Sequence, residues 1–219
     1  AKSLSESQVL FLPGGFSGAD EPDGSGKFIT SFLRNEEISE ELMKLLDERD
    51  GLVAGICNGF QALIKLGLLP YGEIGVQQSD SPTLTFNNIG RHQSKLVRTK
   101  VCSTKSPWLR RASVGQVLTV PISHGEGRFI ANDNDIDTML ENGQILTQYV
   151  DFEGNPTMDI RFNPNGSTMA IEGILSPDGR ILGKMGHSER IGKGLYKNVP
   201  GEFELGMFES AVSYFRCEE

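Results

Sequence analysis

The stretch Leu52-Val-Ala-Gly55-Ile-Cys57-Asn-Gly59-Phe-Gln61-Ala-Leu-Ile64 decides the fold expected of this chain of 219 residues. A short apolar run ends in Gly-Ile-Cys-Asn-Gly and gives way to apolar residues at helical spacing, which predicts a strand, a sharp turn and a helix. The pattern is Gly-x-Cys-x-Gly, the thiol counterpart of the Gly-x-Ser-x-Gly nucleophile elbow. The two glycines leave room for a strained backbone at the apex. We expect the positive end of the following helix to favour the thiolate of Cys57.

Taken alone, Cys57 also fits a simpler interpretation, a buried and inert cysteine between two glycines. A catalytic thiol needs a general base, and the base needs a group that orients it. The segment Gly186-His187-Ser-Glu189-Arg190 follows a strand-like run and offers both groups, because side chains two residues apart in extended backbone leave the same face. We therefore predict that His187 is the base and Glu189 its partner. A surface histidine beside an unrelated glutamate is the alternative for this pair.

Four motifs occur in an order that resembles class I, triad-type glutamine amidotransferases: Leu12-Pro-Gly-Gly15-Phe-Ser17, Gly55-Ile-Cys57-Asn-Gly-Phe-Gln61, Ser123-His-Gly125-Glu-Gly-Arg128 and His187-Ser-Glu189. With Phe86-Asn-Asn-Ile-Gly-Arg91, they are most similar to the glutaminase domain of phosphoribosylformylglycinamidine synthases. The resemblance implies that the Cys-His-Glu triad cleaves glutamine into glutamate and ammonia. It also implies further site residues: Gly15 as a backbone oxyanion donor, and Gln61, Ser123, His124 and Gly125 as substrate contacts. We expect the N–H that follows the nucleophile, that of Asn58, to be the second oxyanion donor. A plain turn remains the alternative for the two glycines at 14 and 15, and a helix-surface position for Gln61.

The sequence departs from the family pattern at several points. Position 188 is serine where the family usually has proline, and Arg91-His92-Gln93 stands where the subgroup has Arg-Phe-Glu, so no role is predicted for His92 or Gln93. His124 is a second candidate for the base, ranked below His187 because it lacks the His-x-carboxylate spacing. The family fold opens with a strand and a helix before the Pro-Gly-Gly strand. We therefore expect residues 1–219 to be one amidotransferase domain that lacks this first strand and helix.

Composition narrows the functional class. A formal net charge of -8 argues against nucleic acid as a partner, and no apolar run has the roughly 18–20 residues of a membrane span. Three cysteines, an odd number, argue against a disulfide framework and for a reducing compartment, so we expect a cytoplasmic protein. Cys102 and Cys217 are interpreted as structural or incidental.

Alternating strand and helix patterns predict an α/β fold, a largely parallel open sheet with helices on both faces and antiparallel additions. The predicted elements are a strand at 8–12, a loop at 14–26, a helix from Ser39, a strand at 52–56, a helix at 60–66, period-two strands at 95–102 and 116–122, a hairpin turned at Ser176-Pro-Asp-Gly179, and a closing helix with an apolar face of Met207, Phe208, Ala211, Val212 and Phe215. Ligands of such sheets bind at the carboxyl ends of strands, where Cys57 lies.

The resemblance also implies a partner, a synthetase that uses the ammonia to make formylglycinamidine ribonucleotide in purine biosynthesis, either fused to this domain or a separate subunit. The sequence has no Gly-x-x-x-x-Gly-Lys-Ser/Thr loop, so ATP and Mg²⁺ are expected on the synthetase portion, and no cofactor or metal on this chain. Two other classes stay open. One is a cysteine hydrolase of the same fold, and the other is a non-catalytic glutaminase-like module that regulates a partner.

Overall fold

The structure, a computed structural model, describes residues 1–15, 26–192 and 194–216. Its strands are β1 (Val9–Leu12), β2 (Leu52–Ile56), β3 (Thr83–Phe86), β4 (Gln93–Val101), β5 (Val117–His124), β6 (Glu126–Ile130), β7 (Ile145–Tyr149), β8 (Ile171–Leu175) and β9 (Ile181–Lys184). Its helices are α1 (Lys2–Ser5), α2 (Lys27–Leu33), α3 (Glu36–Asp47), α4 (Asn58–Leu66), α5 (Leu68–Tyr71), α6 (Asp133–Glu141) and α7 (Met207–Arg216). Short 3₁₀ turns lie at Pro107–Leu109 and Thr168–Ala170.

The strands form a seven-stranded mixed sheet in the order β1-β2-β9-β8-β7-β4-β5, beside a separate antiparallel pair of β3 and β6. Neighbours pair in parallel from β1 to β9 and antiparallel from β9 to β5. Strands β1, β2, β9, β7 and β5 consequently run in one direction, and β8 and β4 run in the other. This arrangement confirms the predicted α/β sheet with antiparallel additions.

Helices cover both faces of the sheet. The ring of Phe11 on β1 meets that of Phe208 on α7, with 5.2 Å between centroids. The next residue, Leu12, packs against Gly59 of α4. Adjacent residues of a strand point to opposite faces, so α7 and α4 lie on opposite sides of β1. Every residue of β2, β8 and β9 is buried, as strands covered on both faces require.

The sheet curls so that its far strand returns to the elbow. β5 is six positions from β1 in the strand order, yet the N–H of His187 donates to the carbonyl of Pro121 at 2.8 Å. The carbonyl of Ser123 likewise accepts from the thiol of Cys57 at 3.6 Å. The carboxyl ends of β1, β2, β9 and β5 therefore meet at one edge of the sheet.

Several predicted elements are confirmed and some details are corrected. The elbow strand has the predicted bounds, and the 176–179 turn joins antiparallel strands β8 and β9. The helix predicted from Ser39 begins at Glu36 instead, because Asn35 caps it by accepting from the N–H of Ile38.

The closing helix is also corrected in part. Met207 and Ala211 are buried, but Phe208 and Val212 are exposed, since α7 covers only the edge of the sheet. Cys217 and most of the predicted loop at 14–26, including Phe16 and Ser17, lie outside the described residues. Among the residues that the structure describes, no helix has the length and apolar character needed to cross a membrane.

Candidate active site

Cys57 occupies the apex of a tight elbow between β2 and α4. Its backbone has φ 52° and ψ −105°, a strained conformation for a residue with a side chain. A Cβ on Gly55 would lie 2.6 Å from the carbonyl carbon of Gly59, and one on Gly59 would lie 2.1 Å from the carbonyl oxygen of Leu12. Both glycines are thus required by close backbone approach, as the sequence predicted.

The loop that follows β1 brings the thiol and the imidazole together. A Cβ on Gly14 would lie 2.4 Å from Cε1 of His187 and 3.1 Å from Cβ of Cys57. The backbone at this position therefore touches both side chains, and even a methyl group there would displace one of them. Parallel pairing explains the meeting, since β1, β2 and β9 are adjacent and each ends at the same edge.

His187 and Glu189 make the contact expected from their spacing. Nδ1 of the fully buried imidazole lies 2.6 Å from Oε1 of the half-buried carboxylate. Burial is the largest single influence and raises the pKa of Glu189, but the hydrogen bond from His187, together with a backbone hydrogen bond and nearby positive charge, holds this pKa below its ordinary value of 4.5. An ionised carboxylate can only accept, so it places the imidazole proton on Nδ1 and leaves the lone pair on Nε2. Nε2 is buried and has no hydrogen-bond partner among the described residues.

The protonation state of the nucleophile differs from the sequence prediction. Burial raises the pKa of the Cys57 thiol to about 11, so the thiol is protonated near neutral pH. The backbone hydrogen bond from Asn58 at the start of α4 opposes this rise, as does the positive charge of Arg190, but burial prevails. The helix end therefore assists ionisation without achieving it, and a base must take the proton.

The two predicted oxyanion donors surround the sulfur. Backbone hydrogen bonds from Asn58 and from Gly15 both lower the pKa of Cys57, which places both N–H groups beside its sulfur. Gly15 has φ +122°, a conformation that favours glycine. The side-chain amide of Asn58 also donates to the carbonyl of Gly15 at 2.6 Å and so ties the loop after β1 to the elbow helix.

The predicted substrate contacts line the opposite wall of the site. Ser123, His124 and Gly125 lie at the end of β5, where the Ser123 carbonyl faces the thiol. Gln61 is buried, not on the helix surface, and its amide donates to the carbonyl of Glu126 at 2.6 Å. This bond fixes the start of β6, which follows directly after β5, relative to the elbow helix.

His124 is poorly suited to act as the base. Burial lowers its pKa to about 3, and the charge of His187 adds to this effect. Its Nδ1 lies 3.1 Å from the side-chain oxygen of Asn87, and its ring packs so closely on Gly127 that a Cβ there would lie 2.2 Å away. Burial keeps the imidazole neutral, and these contacts make it part of the wall beside the site.

Asn87 is a site residue to which the sequence assigned no role. Its amide nitrogen donates to the carbonyls of His124 and Arg91, at 2.8 and 3.1 Å. Its oxygen accepts from the N–H of Gly127 at 3.2 Å, and its own N–H donates to the carbonyl of Gly125 at 2.9 Å. One residue therefore fixes the whole 124–127 segment, through its side chain and its backbone N–H. The Phe-Asn-Asn motif marked this residue in the sequence, but it could not reveal the role, because His124, which Asn87 contacts, is 37 residues away.

The two positions without a predicted role lie at the rim. The exposed His92 places Nε2 3.0 Å from the hydroxyl of Ser123. Gln93 is the β4 residue that pairs with His124 of β5. Cys102 is half-buried, its thiol contacts the carbonyl of Lys100 and the side chain of Gln148, and its pKa is raised by burial. Within the described ranges, no three His, Cys, Asp or Glu side chains are grouped as metal ligands would be.

Comparisons with known proteins agree with this geometry. A family model described as a CobB/CobQ-like glutamine amidotransferase domain matches residues 1–215. The chain is 34% identical over 207 residues to phosphoribosylformylglycinamidine synthase subunit PurQ of Methanococcus maripaludis, a match that covers 93% of this chain and 72% of that protein. It is 33% identical over 211 residues to phosphoribosylformylglycinamidine synthase of Drosophila melanogaster, covering 95% of this chain and 15% of that protein. Among solved structures it is similar to PurLQS from Thermotoga maritima, with a TM-score of 0.69 and 29% identity, covering 95% of this chain and 80% of that chain.

Proposed function

The chain belongs to the CobB/CobQ-like glutamine amidotransferase family, and from that membership we propose that it is the glutaminase of a phosphoribosylformylglycinamidine synthase. It hydrolyses glutamine to glutamate and ammonia, and the ammonia is used to form the amidine. The observation that carries the proposal is the contact of one glycine, Gly14, with both Cys57 and His187 at the elbow.

The first half of the reaction forms a thioester. Nε2 of His187 takes the thiol proton, and the sulfur of Cys57 attacks the side-chain carbonyl carbon of glutamine. The oxyanion is stabilised by the N–H groups of Gly15 and Asn58, donors that contribute about 3 kcal/mol each in comparable sites. The imidazolium then gives its proton to the amide nitrogen, the C–N bond breaks, and ammonia leaves. Glu189 stabilises the imidazolium through Nδ1.

The second half releases glutamate. The neutral imidazole takes a proton from water, the hydroxide attacks the thioester, and the collapsing intermediate expels the sulfur, which recovers its proton from the ring. The wall formed by 123–125 and held by Gln61 and Asn87 is suited to bind the amino-acid end of glutamine, because it offers backbone groups within reach of the thiol.

A synthetase portion supplies the rest of the reaction. The matched protein of Methanococcus maripaludis is named a subunit, whereas the match in Drosophila melanogaster covers one part of a longer protein. ATP and Mg²⁺ bind on the synthetase portion, since this sequence has no phosphate-binding loop of the P-loop kind. A cytoplasmic location is part of the proposal and is supported by the free thiols of Cys57 and Cys102.

Selective labelling of the nucleophile tests the proposal. An electrophile that mimics glutamine should label Cys57 much faster than Cys102 or Cys217, and excess glutamine should slow the labelling. The reason is that the Cys57 thiol, whose pKa is raised by burial, needs His187 to take its proton, and a glutamine mimic would be bound beside both groups. Peptide mapping after timed exposure measures this. Faster labelling of Cys102, or no protection by glutamine, would count against the proposal.

Gly14→Ala should lower kcat for glutamine hydrolysis by roughly 100-fold, because a methyl group would displace the imidazole from the thiol. Gly75→Ala is the matched control, since a Cβ at Gly75 meets nothing within 4 Å. Both variants should keep a cooperative melting transition. Equal kcat in the two alanine variants would show that Gly14 does not set the distance between the thiol and the imidazole.

A further inference from the structure

A buried ion pair lies directly beneath the loop that carries His187. Lys184 is the last residue of β9, and its ammonium lies 3.3 Å from Oε1 of Glu172 on the neighbouring strand β8. The two side chains are at most 1% exposed. Charges this deeply buried persist only when paired and hydrogen-bonded, and a pair of this kind adds little stability compared with apolar packing. The groups that the ion pair holds in place therefore indicate its role better than its contribution to stability does.

Lys184 donates its remaining hydrogen bonds to both neighbours of His187. The ammonium of Lys184 donates to the carbonyl of Gly186 at 3.1 Å and to the hydroxyl of Ser188 at 3.0 Å. An ammonium has three donors, so these bonds and the ion pair use all of them. Oε1 of Glu172 also accepts the N–H of Gly186.

The backbone of the loop that carries His187 contacts the carboxylate of Glu172 directly. A Cβ on Gly186 would lie 2.8 Å from Oε1 of Glu172, so this close approach needs glycine. The other oxygen of Glu172 accepts the hydroxyl of Thr147, which anchors the carboxylate from the side of β7. The backbone on both sides of His187 is therefore fixed from below, while Glu189 holds its ring from the other side.

We propose that the Lys184–Glu172 pair is a positioning device that fixes residues 186–188 and thereby keeps the imidazole of His187 against Cys57. The inference rests on the proposed glutaminase function and deepens it, because neither residue touches substrate. In this account the pair acts through the loop, and its loss affects the chemical step more than glutamine binding. Lys184 also helps to keep Glu189 ionised through its charge.

The test compares three variants in the whole protein with its synthetase portion present. Glu172→Gln/Lys184→Met removes both charges, so no unpaired charge is left buried. We expect kcat to fall about 10- to 100-fold while KM changes less than about 2-fold, because a small displacement of a catalytic group has an effect of this size. Ser188→Ala removes one anchor but leaves the ion pair in place, and it should lower kcat about 5-fold, the net effect of one typical hydrogen bond. Ser210→Ala is the matched control, since Ser210 is as buried but lies on α7, and it should keep wild-type kcat.

A second readout separates this inference from the proposed function. Alkylation of Cys57 by iodoacetamide near neutral pH requires proton transfer to His187 but no glutamine, so it should slow in parallel with kcat. If wild-type protein releases no glutamate while alkylation still depends on the pair, the proposed function fails and this inference stands. Wild-type kcat and alkylation in both the double variant and Ser188→Ala would overturn the inference. If the double variant does not fold, wild-type kcat in Ser188→Ala alone would overturn it.

Discussion

His187→Ala should reduce glutamine hydrolysis nearly as much as Cys57→Ala, by roughly 1,000-fold or more, since residues that act as one catalytic unit are not additive. The structure gives a specific reason. With the pKa of Cys57 raised to about 11 by burial, the thiol cannot ionise near neutral pH without a base. The combined variant should be about as slow as either single one. Measuring kcat for glutamate release in the three variants checks this.

Glu189→Gln should have a smaller effect, because the carboxylate orients and stabilises the imidazole without transferring a proton. His124→Ala provides the decisive comparison. It removes a ring that is kept neutral by a pKa of about 3 and should leave proton transfer intact. Full activity in His187→Ala together with loss in His124→Ala would transfer the role of base to His124.

The local signals of the sequence predicted the elbow well. Glycines at 55 and 59 around a cysteine, between an apolar run and a helical pattern, define a geometry that a few neighbouring residues determine. The same holds for the hairpin at 176–179, whose turn chemistry is local. The His-x-Glu contact was predictable for the same reason, since a single residue separates its members in the sequence.

The ionisation of Cys57 could not be predicted from the helix end. A helix terminus typically contributes about 0.3–1 kcal/mol to a nearby charge, whereas full burial shifts a pKa by up to about 3–5 units. Which effect prevails depends on how completely the site is covered. That cover comes from the end of β5, which reaches the elbow only because the sheet curls.

Contacts between residues that are distant in the sequence could likewise not be predicted from local patterns. Asn87 acts on a segment 37 residues away, and no spacing rule connects the two. Lys184 left one usable signal, a lysine within the apolar run Ile181-Leu-Gly-Lys-Met185. A charge in a buried strand needs a partner, but only the pairing of β8 with β9 identifies Glu172 as that partner. The pair also gives a physical account of Ser188, whose hydroxyl ties the loop to Lys184.

The second large predicted effect concerns which nitrogen source the complete enzyme can use once Cys57 is lost. Cys57→Ala in the complete enzyme should abolish amidine formation with glutamine as the nitrogen source, because no other described thiol lies at the site. Synthesis from added ammonium should survive, because the ATP-dependent chemistry is assigned to the synthetase portion. Cys102→Ala is the matched control and should support both reactions at wild-type rates. A melting curve of each variant establishes that its fold is retained.

The proposed glutaminase role is best tested by the ratio of amidine formation with glutamine to that with ammonium, measured in wild type and Cys57→Ala at matched ATP and nucleotide. If the chain were instead a cysteine hydrolase of the same fold that acts on peptides or small carbonyl compounds, amidine formation would not depend on the thiol. If it were a non-catalytic regulatory module, the glutamine reaction would persist after the thiol is lost. This ratio is expected to fall to background in Cys57→Ala while the ammonium rate stays near that of wild type. An unchanged ratio, or equal loss with both nitrogen sources in a folded variant, would contradict the glutaminase role.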